Sequence, residues 1–238
     1  FKILAHNDRG CRFQSLSVWI YQLVTDDDNP QGIGDKGKQR MMRQLEQDSW
    51  DELYDLEPEH FGSGESEFAI KCSEVMKEHG VNRVIDIGCG YGRDSIFFGA
   101  QGFSVFALDY SQKALSILKR RISATSLKKN IVPIQYDICK GIPLDDGYFD
   151  AVYSFLLFPV GFTEIRIEFI FSEIYRVLQH NGLFLACVRT DKEVSSFFDE
   201  RYIRAKLKMF HINTLNARNI SVGRYHFNVV EIFSRRTA

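Results

Sequence analysis

Residues 84–95 read VIDIGCGYGRDS, a short apolar run that passes straight into Gly88, Gly90 and Gly92 and then into residues that open a helix. Such a strand, glycine turn and helix belong to an α/β sheet whose ligand approaches the backbone where a side chain would block it. The spacing narrows the ligand. A dinucleotide fingerprint needs glycines at its first, third and sixth positions. Here they stand first, third and fifth, and Arg93 holds the sixth. Asp86, two residues before the first glycine, would repel a pyrophosphate. It would attract a ligand that carries a cation. A nicotinamide-dependent oxidoreductase is disfavoured on both counts.

The flanking pattern repeats this unit. Phe68, Cys72, Val75, Met76 and His79 form a helical stripe that Gly80 stops, and Val81 to Ile87 is a strand. Arg93 to Gln101 reads as a helix, and Phe103 to Leu108 as the next strand. Ser111 is placed to cap a helix with Leu115, Leu118 and Ile122 on its apolar face. Strands follow at Ile131 to Tyr136 and Phe149 to Ser154. A helix carrying Ile170, Ile174, Val177 and Leu178 comes next, and Gly182 opens a strand from Leu183 to Val188. Tyr225 to Ser234 alternates apolar and polar residues like an edge or hairpin strand. Alternation of this kind predicts an α/β, Rossmann-like, doubly wound and mainly parallel sheet.

Two more acids fall at strand ends. Asp109, twenty-one residues after Gly88, ends the second strand, where a carboxylate can accept both hydroxyls of a ribose. Asp137 ends the third, where it can take an exocyclic amine while Ile138 covers a purine face. With these residues in this order, the chain resembles the class I S-adenosylmethionine-dependent methyltransferases over about residues 45–238. The resemblance implies a seven-stranded sheet with an antiparallel last strand and S-adenosyl-L-methionine as cofactor. It implies that Asp86, Gly88, Gly90 and Gly92 hold the methionine part, Asp109 and Tyr110 the ribose, and Asp137 and Ile138 the adenine. FDAVYS looks like the fourth motif and would bring Ser154 and Phe155 beside the cofactor. RVLQHNGLFL looks like the turn into the fifth strand, with Asn181-Gly182 in place of the common Pro-Gly. Tyr54, in DSWDELY, would line the site from a segment ahead of the first motif.

No catalytic residue is read from the sequence; His60, His211, His226 and Tyr54 are the candidate bases. The acceptor is expected to be a small molecule. After the fourth strand Ser154-Phe155-Leu156-Leu157 replaces the Pro-Pro-aromatic run of enzymes that act on amide-like nitrogens, and GRDSIFFGAQGFSVFALDYS looks most like tellurite-resistance and thiopurine enzymes. Thirty Lys and Arg against 31 Asp and Glu give a net charge of -1, which argues against a nucleic-acid partner. An RNA or protein methyltransferase and a non-catalytic cofactor-binding module are the alternatives.

Residues 1–44 are read as an extension, with a short hairpin before residue 25 and a polar linker, TDDDNPQGIGDKGK, at 25–38. That linker has Lys38 where a calcium loop needs a bidentate Glu, so no metal is expected. Five scattered cysteines without a Cys-x-x-Cys pair are read as reduced thiols of a cytoplasmic protein. No leader is read at Phe1, and no run of 18 apolar residues predicts a membrane span.

Overall fold

The structure, a computed structural model, describes residues 47–237 apart from 159–161, 192–197 and 224. The chain divides into two compact units, residues 1–50 and 51–238. The hairpin and linker expected before residue 39 lie outside the described residues.

A helical segment, α1, covers residues 47–56. It is followed by α2 (Glu67–Glu78), β1 (Arg83–Ile87), α3 (Arg93–Ala100), β2 (Ser104–Asp109) and α4 (Gln112–Ile122). Then come β3 (Ile131–Gln135), β4 (Phe149–Phe155), α5 (Glu164–Val177), β5 (Leu178–Arg189), α6 (Glu200–Lys206), β6 (Phe210–Val222) and β7 (Tyr225–Arg236). The seven strands make one sheet in the order β3-β2-β1-β4-β5-β7-β6. β3 through β5 pair in parallel, and β7 runs antiparallel to both its neighbours. The expected mixed sheet with an antiparallel last strand is therefore present.

Both faces are covered, which is why β1, β2 and β4 read as near-continuous apolar runs. On one face Phe68, Cys72 and Met76 of α2, Phe98 of α3 and Leu115, Leu118 and Ile122 of α4 pack with Tyr153, Leu185 and Cys187. On the other, Ile167, Ile170, Phe171 and Ile174 of α5 and Ile203 of α6 pack with Ile85, Val152 and Phe184. Local signals agree with these boundaries. Ser66 and Ser111 cap α2 and α4 by accepting from Ala69 N and Ala114 N, both at 3.0 Å. Gly80 N and Val81 N close the end of α2 on Lys77 O and Met76 O.

Three details differ from the sequence reading. Leu178 follows the helix and pairs with Phe149 as the first residue of β5. β6 has no counterpart in the sequence pattern: FHINTLNARNISV is polar along most of its length, and over that length its side chains are exposed or half-buried on both faces. Of the two readings offered for residues 225–234, edge or hairpin strand, the structure has the hairpin: β7 pairs with β6 and lies inside the sheet. The order reverses at β1, which lies between β2 and β4, so a ligand crevice is expected beyond the carboxyl ends of β1 and β4.

Candidate functional site

The glycine loop occupies that crevice. Gly88 N and Cys89 N both donate to Leu108 O, at 2.8 and 3.1 Å, and tie the loop to the end of β2. Gly88 and Gly90 take φ of +74° and +53°, in the left-handed region. A Cβ on Gly88 would come within 2.9 Å of Leu157 Cδ1, and one on Gly90 within 2.8 Å of Tyr54 Oη. These two residues are bare because a roof lies directly above them. Gly92, with φ +79°, shares the left-handed backbone but faces a different neighbour: its Cβ would stand 2.3 Å from Leu118 Cδ1 and push α4 away from α3.

Asp109 joins the loop to α4. Its Oδ2 accepts from Gly90 N at 2.8 Å and its Oδ1 from Ser111 N at 2.9 Å. Burial raises its carboxyl to about 6, against the pull of these amides and that of Tyr110. A carboxylate has about four acceptor positions, so the three amides of Gly90, Tyr110 and Ser111 leave room for about one ligand hydroxyl. Asp86, 2% exposed, is held by a hydrogen bond from Ser95 Oγ at 2.5 Å. Burial pushes it up to about 8; the Ser95 bond opposes this, and the nearby charges of Asp94 and Asp109 add to it. Burial thus favours the protonated form of Asp86. A cation arriving beside it would draw out the proton.

The roof comes from ahead of the first motif. Tyr54 is 6% exposed and meets Tyr91 edge-on at 5.8 Å. Burial lifts its phenol well above the usual range, with Asp109 adding to the effect. Asp51 fastens this helix to the start of α4 by accepting from Ser111 Oγ at 2.5 Å and Lys113 N at 3.1 Å. Lys113 also pairs with Asp55 at 2.7 Å. Behind the loop, buried Asp94 accepts from Ser66 N and Ser66 Oγ at 2.8 Å and from Tyr153 OH at 2.6 Å. Arg93 pairs with Asp94 through Nε at 3.1 Å and donates from Nη1 to Phe61 O at 2.6 Å, locking residues 61–66 against α3.

The remaining sequence candidates are distributed as follows. Half-buried Asp137 accepts from Cys139 N at 2.9 Å, and Ile138, 7% exposed, is part of the core under β1 and β4. Tyr110 follows Asp109 at the end of β2. Ser154 is fully buried and donates to Ile87 O at 3.3 Å, whereas Phe155 faces the opposite side beneath the Arg93 guanidinium at 5.0 Å. His60 Nδ1 lies 2.7 Å from Glu57 Oε2, and its ring packs on Tyr225. His226 meets Ser221 Oγ at 2.9 Å near the hairpin tip. His211 pairs across β7 at the level of Leu183, at the opposite end of the sheet from the loop. The cysteines at 72, 89, 139 and 187 are free thiols.

Sequence reasoning missed Leu157, Asp51 and Asp94. Leu157 is delivered by Leu156, a non-glycine residue with φ +58°, and no residue type announces such a turn. Asp94 sits within the motif and was legible only as a helix-opening acid.

The sheet order, the loop at the strand reversal and acids at the ends of β1 and β2 define the class I S-adenosylmethionine-dependent methyltransferase fold. Residues 84–182 match the family model described as a methyltransferase domain. YqeM of Bacillus subtilis, a methyltransferase by its name, is 28% identical over 120 residues, which are 50% of this chain and 47% of that protein. Glycine/sarcosine N-methyltransferase of Aphanothece halophytica is 32% identical over 139 residues, covering 58% and 50% of the two chains. The chain thus spans about half the length of the curated relatives it matches. Among solved structures, TehB from Haemophilus influenzae aligns with a TM-score of 0.63 at 17% identity, over 79% of this chain and 67% of that one.

This family and fold imply S-adenosylmethionine as cofactor. The residues present fit it: a loop bare at Gly88 and Gly90, a buried acid for a cation, and a buried carboxylate with acceptor capacity to spare. Among the described residues no helix is long and apolar enough to cross a membrane.

Proposed function

We propose that the chain transfers a methyl group from S-adenosylmethionine to a small-molecule acceptor, and that residues 45–238 are the unit that does so, with 1–44 an extension. The observation that carries the reading is the Asp109 carboxylate. It bridges Gly90 of the loop and Ser111 of α4 at the strand reversal, with Asp86 buried nearby. In this reading Asp86, Gly88 and Gly90 hold the methionine part and Gly92 keeps α3 and α4 close enough to shape the loop. Asp109 and Tyr110 bind the ribose, Asp137 and Ile138 the adenine, and Tyr54, Ser154 and Phe155 line the remaining wall.

When bound, the cofactor supplies an electrophilic methyl on a positively charged sulfur, and the departing thioether is neutral. The protein therefore needs no acid for the leaving group. Its contribution is alignment and exclusion of water, effects worth about 7–11 kcal/mol in well-oriented systems. Tyr54 and Leu157, packed over the two bare glycines, supply the dry roof. A base is required only for an acceptor that is protonated when it reacts. His60 and His226 stand at the loop end of the sheet, and His211 does not. A small acceptor is favoured by the near-zero net charge and by Ser154-Phe155-Leu156-Leu157 after β4.

Calorimetric titration with S-adenosylmethionine, its demethylated product and NAD tests the reading. Binding of the first two without the third is expected. Binding of NAD alone, or of none, would overturn it.

A further inference from the structure

Arg189 is the last residue of β5, at the same end of the sheet as the glycine loop. Leu183, Leu185 and Cys187 pack on the face that holds Phe155 and Phe227, and Arg189 continues that alternation. Its guanidinium lies 4.4 Å over the ring of Phe227. Asp191 Oδ2 accepts from Arg189 Nε at 3.0 Å, while Asp191 Oδ1 accepts from Asn228 N at 2.9 Å, so the acid is itself anchored to β7. Arg189 N donates to Phe158 O and Thr190 N to Asn228 O, which fixes the backbone on both sides. The side chain is 23% exposed.

The arginine is thus oriented by a ring beneath it and a carboxylate at Nε, and only Nε is used. Among the described residues, Nη1 and Nη2 meet no acceptor. Other arginines near this face are spent: Arg93 on Asp94 and Phe61 O, Arg121 on Glu59, and Arg218 on Glu231. Two parallel Nη–H donors on a fixed plane are the natural partner of a carboxylate. β5 is separated from β1 by β4 alone, roughly 10 Å at ordinary strand spacing. An arginine side chain and a molecule of a few bonds cover that distance; a large acceptor would not be needed and would have to fold back.

Resting on the methyltransferase reading, we propose that Arg189 grips the carboxylate of the acceptor, which is a compact carboxylate-bearing molecule of amino-acid size. Asp191 and Phe227 are the residues that position it. Arg189 does not serve the cofactor's own carboxylate, which belongs beside the loop two strands away.

The test uses the full chain, loaded with the demethylated cofactor product and titrated with glycine and N-methylglycine against glycinamide, binding being read by saturation-transfer NMR. Both carboxylates should bind the wild type about ten- to hundredfold better than the amide. R189Q should erase that preference, R189K should retain part of it, and cofactor affinity should stay within about twofold in both. If R189Q melts early, R189K decides alone. Equal binding of acid and amide, no binding of either carboxylate to the loaded wild type, or unchanged preference in the variants would overturn the proposal. So would an equal loss of cofactor affinity in the variants. Failure of the wild type to bind the cofactor is a separate result and strikes the methyltransferase reading instead.

Discussion

Replacing Asp86 by Asn makes the buried acid measurable without removing its shape. An unfolded Asp releases its proton near 3.8, and the folded protein holds that proton to about 8. Across this window the native state carries one proton more than the unfolded chain. Stability therefore falls as pH rises, by about 1.4 kcal/mol per pH unit. From pH 5 to pH 7 the loss is about 2.7 kcal/mol, and full burial leaves little solvent screening to reduce it. In a domain of this size that corresponds to a drop of roughly 5–10 °C in Tm. Asp109, raised to about 6, adds a fall of the same sign below that pH, but equally in both proteins. Thermal melts of wild type and D86N at pH 5, 6 and 7 isolate Asp86, and the difference between the curves should widen with pH in favour of the variant. Parallel curves would refute the reasoning. The same proton must leave when a cation binds beside the acid, so S-adenosylmethionine should bind the wild type up to about tenfold more tightly per pH unit as pH approaches 8. D86N should bind more weakly and without that slope.

Asp109→Asn keeps the volume but weakens the acceptor for a ligand hydroxyl, and calorimetry should find cofactor affinity reduced by about tenfold or more. Gly90→Ala places a methyl group against the Tyr54 hydroxyl in a left-handed backbone, and cofactor binding should be lost while the fold loses about 1–3 kcal/mol. Gly92→Ala strikes packing against α4 as well as a left-handed backbone, φ +79°. It should cost about 1–3 kcal/mol in urea unfolding, and Leu118→Ala in the same chain should recover part of that loss, since the two sites are in contact.

The sheet was legible wherever both faces of a strand are buried. β1, β2 and β4 announce themselves as apolar runs because α2, α3 and α4 cover one side and α5 and α6 the other. The caps at Ser66 and Ser111 are local chemistry, and Ser111 was readable without tertiary context. β6 escaped because neither of its faces is buried for most of its length, so no apolar alternation is imposed, and Leu178 was misassigned because apolar periodicity alone does not mark where a buried helix yields to a buried strand. In the site, the placement of Asp86, Asp109 and the glycines was readable because it depends only on position relative to a strand end. Leu157, Asp51 and Arg189 act through contacts with residues 69, 60 and 38 positions away at Gly88, Ser111 and Phe227, and no short window holds both partners. The protonated state of Asp86 was not readable either, since it follows from burial and not from sequence neighbours.

The placement of β7 between β5 and β6 has a consequence for how the chain is made. A ribosome delivers β5 and β6 first, and both expose a bare rim of amide and carbonyl groups until residues 225–236 emerge and slide between them. Until then the half-finished sheet offers two sticky borders to any neighbouring strand. The same late segment brings Phe227 and Asn228, the platform for Arg189 and the anchor for Asp191. Strands β1 to β5 can take shape early, but the platform beneath Arg189 waits for residues 225–236 to arrive.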